Sequence, residues 1–217
     1  MTAHPLRDRL VAGAQVLGLS LVDAQVEQLL GYLDLLGKWN KVYNLTAVRD
    51  PAEMLTHHLL DSLAVIAPLR RHTQGRATRL LDVGSGGGLP GVVIAICCPE
   101  IEVTCVDAVA KKAAFIQQAA GSLGLSNLHG RHGRVEAVVE QFDVIASRAF
   151  ATLGDFTAWS QGALADGGVW AAMKGKHPAD EVAALPPAID VFHVEQLTVP
   201  ELDADRCLIW MRVRAPH

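Results

Sequence analysis

Apolar positions recur along the chain with two different spacings, and the change of spacing divides it. Up to about residue 66 the period is helical. Leu6, Leu10, Val11, Ala14 and Leu17 share one face of a predicted first helix over residues 5–18, which Gly18 ends. Ser20 is placed to cap a second helix, whose stripe is Val22, Val26, Leu29, Leu30, Leu33 and Leu36. Asp50-Pro51-Ala52-Glu53 supplies a cap, a proline at the first helical position and a carboxylate in the first turn, so a third helix starts there. It turns Met54, Leu55, Leu59, Leu63 and Ile66 inward, leaves His58, Asp61 and Ser62 near the edge of that stripe, and is expected to stop at Pro68. Between the second and third helices, residues 37–46 have no clean period. They mix lysines, aromatics and amides, and read either as a helix end with its connecting turn or as a contact surface for a polar polymer.

From Arg79 onward, short apolar runs alternate with helical segments. Strands are predicted at 79–84, 101–106, 127–129, 142–146 and 169–174, with helices at 90–98, 110–123 and 152–165 between them. That alternation signals a parallel sheet with helices on both faces. A short helix over 179–185 and two closing strands, 192–197 and 207–213, paired antiparallel, complete the chain. The expected fold is therefore α/β: a Rossmann-like sheet, mostly parallel with an antiparallel last strand, carrying an N-terminal helical cap. Residues 1–78 form the cap and a basic linker whose arginines, Arg70, Arg71 and Arg76, continue to Arg79 at the start of the first strand, and residues 79–217 form the sheet domain, the two packed as one compact unit.

The first strand runs into Gly84-Ser85-Gly86-Gly87-Gly88-Leu89-Pro90-Gly91 and then into a helix. Strand, glycine turn and helix N-terminus in that order make a nucleotide-type cradle, because bare backbone lets a ligand lie close. Two registers fit. Gly86-x-Gly88-x-x-Gly91 matches the dinucleotide fingerprint, while Asp82-x-Gly84-x-Gly86-x-Gly88 resembles the first motif of S-adenosylmethionine methyltransferases. Asp82 favours the second: a carboxylate there repels a pyrophosphate and attracts the ammonium of a methionine moiety. Asp107, at the end of the next strand, is placed to accept hydrogen bonds from ribose hydroxyls, a feature common to both cofactor types.

Composition narrows the partners. Half of the 217 residues are apolar and the net charge is −4, so the chain as a whole has no basic signature for nucleic acid. The balance is uneven: residues 1–81 hold 9 Lys and Arg against 7 Asp and Glu, and residues 82–217 hold 10 against 16, so nucleic-acid contact must lean on the first part and on local patches. Cys97, Cys98, Cys105 and Cys207 include no C-x-x-C pair and read as reduced core residues of a cytosolic protein. Thr104-Cys105 lies mid-strand, the wrong place for a catalytic cysteine. His57-His58 and His129-x-x-His132 have no acidic or cysteine partner nearby, so no metal is expected. No apolar run is long enough to span a membrane, and the first residues lack a signal-peptide pattern.

Several segments together resemble one family. They are Lys38-Trp39-Asn40-Lys41-x-Tyr43-Asn44-Leu45-Thr46, Arg49-Asp50-Pro51-x-Glu53-Met54 and His58-x-Leu60-Asp61-Ser62. The glycine loop from Asp82 to Gly91, Phe142-Asp143 with Ser147-Arg148-Ala149-Phe150, and Lys174-Gly175 complete the set. In this order, over nearly the whole chain, they are similar to the RsmG family (formerly glucose-inhibited division protein B), guanine-N7 methyltransferases of bacterial small-subunit ribosomal RNA. The resemblance implies a methyltransferase sheet and S-adenosyl-L-methionine as methyl donor. Its substrate would be small-subunit ribosomal RNA or a ribosomal particle. By position it puts cofactor contacts on Gly84, Leu89, Val135, Glu136 and Arg148, to which the ligand chemistry above adds Asp82, Gly86 and Asp107. The loop has three consecutive glycines, Gly86-Gly87-Gly88, where the family often places Ala or Pro in the middle.

Arg148 follows the fourth strand, where the substrate base would meet the cofactor. Its fork suits a cofactor carboxylate, a phosphate or guanine O6, or else it forms a structural ion pair with Asp143 or Asp155. No general base is expected. Lys38, Lys41, Arg71, Lys174 and Lys176 are candidates for positioning RNA phosphates, though each singly is as well a solvated charge. Three other functions remain open at this stage: a methyltransferase of a small molecule, a NAD-dependent oxidoreductase, and a non-catalytic RNA-binding module. A monomer in the cytoplasm is expected.

Overall fold

The computed structural model describes residues 4–215. Helices α1 (Arg7–Val16) and α2 (Asp23–Tyr43) pair at the start of the chain. The cap of α2 is not Ser20. The N-cap position is Val22, whose N–H donates to the Gln25 side chain (3.1 Å), while the Gln25 amide reaches across to the Ile96 carbonyl (3.1 Å). The aperiodic stretch from Gly37 to Tyr43 is the last part of α2 and not a loop. Its amides work internally: buried Asn40 accepts from the Thr46 N–H (2.9 Å) and donates to the Val48 carbonyl (3.2 Å), folding the following turn back on the helix.

The third helical segment starts as predicted, with Asp50 accepting from the N–H groups of Ala52 (2.9 Å) and Glu53 (3.1 Å). It comprises α3 (Pro51–Met54), a π-turn (Leu55–Leu60) and α4 (Asp61–Leu63). Pro68 does not stop it. The chain breaks at Ala64–Val65 and restarts as α5 (Ile66–Thr73), where Pro68 is the third residue. An N–H in a first turn has no intrahelical partner, so a proline there loses nothing. Arg70 and Arg71 therefore belong to α5 and are not linker residues.

The rest alternates. It runs β1 (Thr78–Val83), α6 (Gly91–Cys97), β2 (Ile101–Asp107), α7 (Ala110–Leu123), β3 (Leu128–His132) and β4 (Phe142–Arg148). Then come α8 (Leu153–Ser160), β5 (Leu164–Lys174), α9 (Ala179–Ala183), β6 (Ile189–Leu197) and β7 (Arg206–Val213). The seven strands are ordered β3-β2-β1-β4-β5-β7-β6; the first five are parallel, and β7 is antiparallel to both β5 and β6. β1 pairs β2 on one side and β4 on the other, so chain order reverses beside it. Ligands of open α/β sheets bind at that switch point, off the carboxyl ends of the strands.

Strand residues alternate between two cores. Leu80, Val144, Ala146, Ala171, Met173, Leu208 and Trp210 join the core under α1–α7, whereas Leu81, Ile145, Trp170, Ala172, Ile209 and Met211 join the core under α8. Every residue of α6 is buried, because it lies between the sheet and the N-terminal helices. A helix with no polar face has no wet side to keep. The cap and sheet thus share one hydrophobic core, in which Trp39 of α2 meets Phe115 of α7 at 5.5 Å between ring centroids. No described helix is long and apolar enough to cross a membrane.

Candidate active site

The glycine loop leaves β1 at Gly84, which has φ +64°, and climbs to α6. The N–H groups of Gly84 (2.9 Å) and Ser85 (3.3 Å) bond the Val106 carbonyl of β2, and that of Gly88 bonds the Ser85 carbonyl (2.8 Å). At Gly84 the need for glycine is steric as well as conformational: an added Cβ would lie 2.1 Å from Cδ2 of Phe150. Two side chains brace the loop from outside it. The buried Tyr32 hydroxyl donates to the Gly87 carbonyl (2.7 Å), and burial raises that phenol above its ordinary range. Asp107 accepts from the N–H groups of Gly86 (3.0 Å) and Val109 (2.8 Å).

Asp82 departs from expectation. Strand alternation turns it under the start of α6, where it is fully buried and accepts from the Gly91 N–H (2.8 Å), with Cys105 Sγ at 3.9 Å. It lines neither cavity described below and braces the loop from beneath. Burial, the largest influence, pushes its pKa from 3.8 to about 7 against the opposing pull of the Gly91 amide. Its Oδ1 has no hydrogen-bond partner. The same crowding fixes Gly91, whose added Cβ would lie 2.3 Å from Cys105 Sγ. Cys105 is a buried core thiol, and all four cysteines are free.

Two cavities flank the loop and meet at Gly84 and Ala149, which line both. The first, about 450 Å³, is walled by Ser85, Gly86, Leu89, Asp61, Arg148 and Arg206 among others. The second, about 430 Å³, is walled by Asp107, Lys112, Arg134, Val135, Glu136 and Phe150 among others. Ala149 adopts φ +50°, left-handed backbone that costs a non-glycine residue about 1–2 kcal/mol. It turns the chain out of β4 so that the ring of Phe150 packs on Gly84 and edge-on against Trp159 (5.9 Å).

The first cavity is organised by a carboxylate to which the sequence assigned no site role. Asp61, nearly fully buried, accepts from Arg148 Nη1 through one oxygen (2.9 Å) and from Arg206 Nε through the other (2.8 Å). Arg148 also donates to the His57 carbonyl (2.9 Å), presented by the π-turn. The partner of Arg148 is thus Asp61 from the helical cap, neither Asp143 nor Asp155. Asp143 instead accepts from the Arg79 N–H (2.8 Å) and Asp155 from the Thr152 hydroxyl (2.8 Å). Beside this cluster His58 Nε2 meets the Thr46 hydroxyl (2.8 Å). Burial, reinforced by the Arg148 guanidinium, lowers the His58 pKa from 6.5 to about 4.

The site residues expected from sequence thus separate. Gly84, Gly86, Leu89 and Arg148 gather at the first cavity, Asp107, Val135 and Glu136 at the second, and Asp82 lies beneath. Of the lysine and arginine candidates only Lys174 reaches a cavity, and there it is tied to Glu181 (2.9 Å) and the Ala151 carbonyl (2.7 Å). Arg71 pairs with Glu195 of β6. Lys38 and Lys41 are exposed on α2 away from both cavities, and Lys176 is exposed beside the first. Asp61 was noted only at a helix edge and in a family-like segment, and Arg206 not at all, because their pairing is three-dimensional: nothing in their local sequence joins them.

A glycine loop at the switch point of a parallel sheet, an acidic residue closing the next strand and an antiparallel final strand define a Rossmann-like methyltransferase fold. Solved structures agree. TrmN from Thermus thermophilus superposes with a TM-score of 0.55 at 20% identity, over 74% of this chain and 53% of that one. Aeropyrum pernix fibrillarin, solved with natively bound S-adenosyl-L-methionine, gives 0.51 at 14% identity over 63% and 67%. A family model described as rRNA small subunit methyltransferase G (GidB) matches residues 25–209. The "Ribosomal RNA small subunit methyltransferase G" of Acidovorax sp. (strain JS42) is 68% identical over 217 residues, 96% of this chain and 94% of the relative. The chain belongs to this family of methyltransferases.

Proposed function

We propose that this chain transfers a methyl group from S-adenosyl-L-methionine to N7 of a guanine in small-subunit ribosomal RNA. The observation that carries the reading is the pair of cavities meeting at bare Gly84 backbone, in a chain of this family. The residues present fit the cofactor. The second cavity suits its adenosine end, with Asp107 accepting from the ribose hydroxyls and Val135 and Glu136 beside the adenine. The first suits its amino-acid end, along Gly84, Gly86 and Leu89, where buried Ser85 keeps an unpartnered hydroxyl and Arg148 keeps an unused guanidinium edge. Bound there, the cofactor supplies an electrophilic methyl on a sulfonium.

What this chain contributes is alignment and exclusion of water. Guanine N7 offers a lone pair and carries no proton, so no residue need act as general base. His58, its pKa lowered to about 4, is neutral at pH 7 and paired to Thr46. Lys38, Lys41 and Lys176 are exposed and form no ion pair among the described residues, which suits RNA phosphates. Arg71 and Lys174 serve that purpose only by exchanging a carboxylate for a phosphate. The reading places the protein with ribosomes in the cytoplasm, acting as a monomer.

The test is transfer of tritiated methyl from the cofactor to small-subunit RNA, or particles, lacking the modification, with mapping of the labelled nucleotide. Label in a single guanine, stable to reagents that spare N7-methylation and lost on depurination, is expected. No incorporation into RNA or particle would refute it.

A further inference from the structure

Arg206 opens β7 and belongs to no segment that pointed to the family. It nevertheless shares Asp61 with Arg148, one guanidinium on each carboxylate oxygen. One negative charge therefore serves two positive ones, and the pair carries a surplus positive charge facing the first cavity. Lys174, the other cation there, is already matched by Glu181. Arg206 uses Nε on Asp61 and Nη1 on the Asp205 carbonyl (2.8 Å), and Nη2 makes no hydrogen bond among the described residues. A guanidinium oriented on one edge and free on the other is ready to take an oxyanion.

Its position selects the anion. Arg206 and Gly175 line both the first cavity and a shallow groove of about 790 Å³ that continues past Lys176 and the turn before β7. A cofactor ends inside the cavities, whereas a polymer whose base enters the first cavity must leave by an open groove. Arg206 stands at that threshold. Asp203 and Asp205 line the groove too and cancel its formal charge, which confines favourable phosphate contact to side chains with free donors.

We propose that Arg206 contacts RNA: with Arg148 it forms a two-armed clamp hinged on Asp61, and its free edge holds a backbone phosphate of the strand leaving the site. This rests on the functional reading above, and its test separates the two. Binding of an unmethylated small-subunit RNA fragment is measured by filter retention across a salt series, and binding of S-adenosyl-L-methionine alone by calorimetry, for the parent chain, Arg206→Gln and Arg206→Lys. For Arg206→Gln the expected result is about a tenfold loss of RNA affinity and a salt slope shallower by about one ion, with cofactor affinity within about twofold of the parent. Arg206→Lys keeps a charge beside Asp61 but loses the fork, and about a threefold loss of RNA affinity is expected even if the glutamine variant fails to fold. Weakened cofactor binding in the absence of RNA would overturn the proposal by assigning Arg206 to the cofactor carboxylate. Unchanged RNA affinity in the lysine variant would overturn it by leaving Arg206 a purely structural role. A parent chain with no affinity for small-subunit RNA, free or in unmethylated particles, would overturn the functional reading and this proposal with it.

Discussion

Of the two cavities that meet at Gly84, one is drawn from a short stretch of chain and the other from almost all of it. The second takes most of its wall from residues 83–136, the span of β1, β2, α7 and β3. The first needs Leu36 from α2, Asp61 from α4, the glycine loop, Arg148 from β4, Met173 from β5 and Arg206 from β7. Their cohesion differs accordingly. The second is shaped by hydrogen bonds such as those from the N–H groups of Gly86 and Val109 to the Asp107 carboxylate, all made within one βαβ unit. The first is held by one carboxylate whose arginine partners stand 87 and 145 residues away. The second cavity is thus mostly the product of one local unit of the fold, whereas the first exists only once the cap and both halves of the sheet are together.

Asp61→Ala tests that contrast most severely. It leaves two partly buried guanidinium groups without their anion, and a stability loss of about 3 kcal/mol is expected by urea denaturation. Affinity for adenosine, measured below the new unfolding midpoint, is expected to stay within about twofold, since Asp61 lines only the first cavity. Equal loss of adenosine binding would show that the cavities are one mechanical unit. Asp107→Asn reverses the experiment. Its amide replaces a charged acceptor by a neutral one, so affinity for S-adenosyl-L-homocysteine should fall about tenfold in calorimetry.

The smallest effect concerns Asp82, beneath the loop both cavities share. Between its ordinary pKa of 3.8 and the folded value near 7, the folded chain keeps a proton the unfolded chain has released. That contribution to stability is therefore lost as pH rises through this window. His58 acts oppositely: between 6.5 and about 4 the unfolded chain takes up a proton the folded chain refuses, so stability is lost as pH falls. The slopes oppose each other across most of the range and flatten the parent's profile. Asp82→Asn removes one of them. Relative to the parent, its denaturation midpoint should be higher at pH 8 than at pH 5, and a difference independent of pH would show that Asp82 is ionised throughout.

The same contrast explains what could be read in advance. Alternating apolar runs gave every strand of the sheet within a few residues, and helix 110–123 coincides with α7, because period and burial are local properties. The place of Asp107 beside the second cavity was legible because it depends only on ending the strand after the glycine loop. The burial of Asp82 under Gly91 was not legible, because its side of the strand depends on where α6 packs. Pro68 looked like a stop because its tolerance hinges on the break at Ala64–Val65, after which α5 restarts two residues before it. Residues 37–43 looked aperiodic because α2 is contacted from more than one side there, by Phe115 and by the turn that Asn40 ties down. Asp61 stands in a segment that resembles the family, but nothing in the sequence near it points to Arg206, 145 residues away.

The bond from Tyr32 to the Gly87 carbonyl has a bearing on how the chain is made. Synthesis delivers α2 well before the turn it props, so the tyrosine waits with its flank bare until α6 and α7 arrive to cover it. A fragment beginning at the first strand would reach the same sheet lacking that prop and the lid over Ile94, Ile96 and Phe115, leaving a sticky surface where a nucleotide pocket should be.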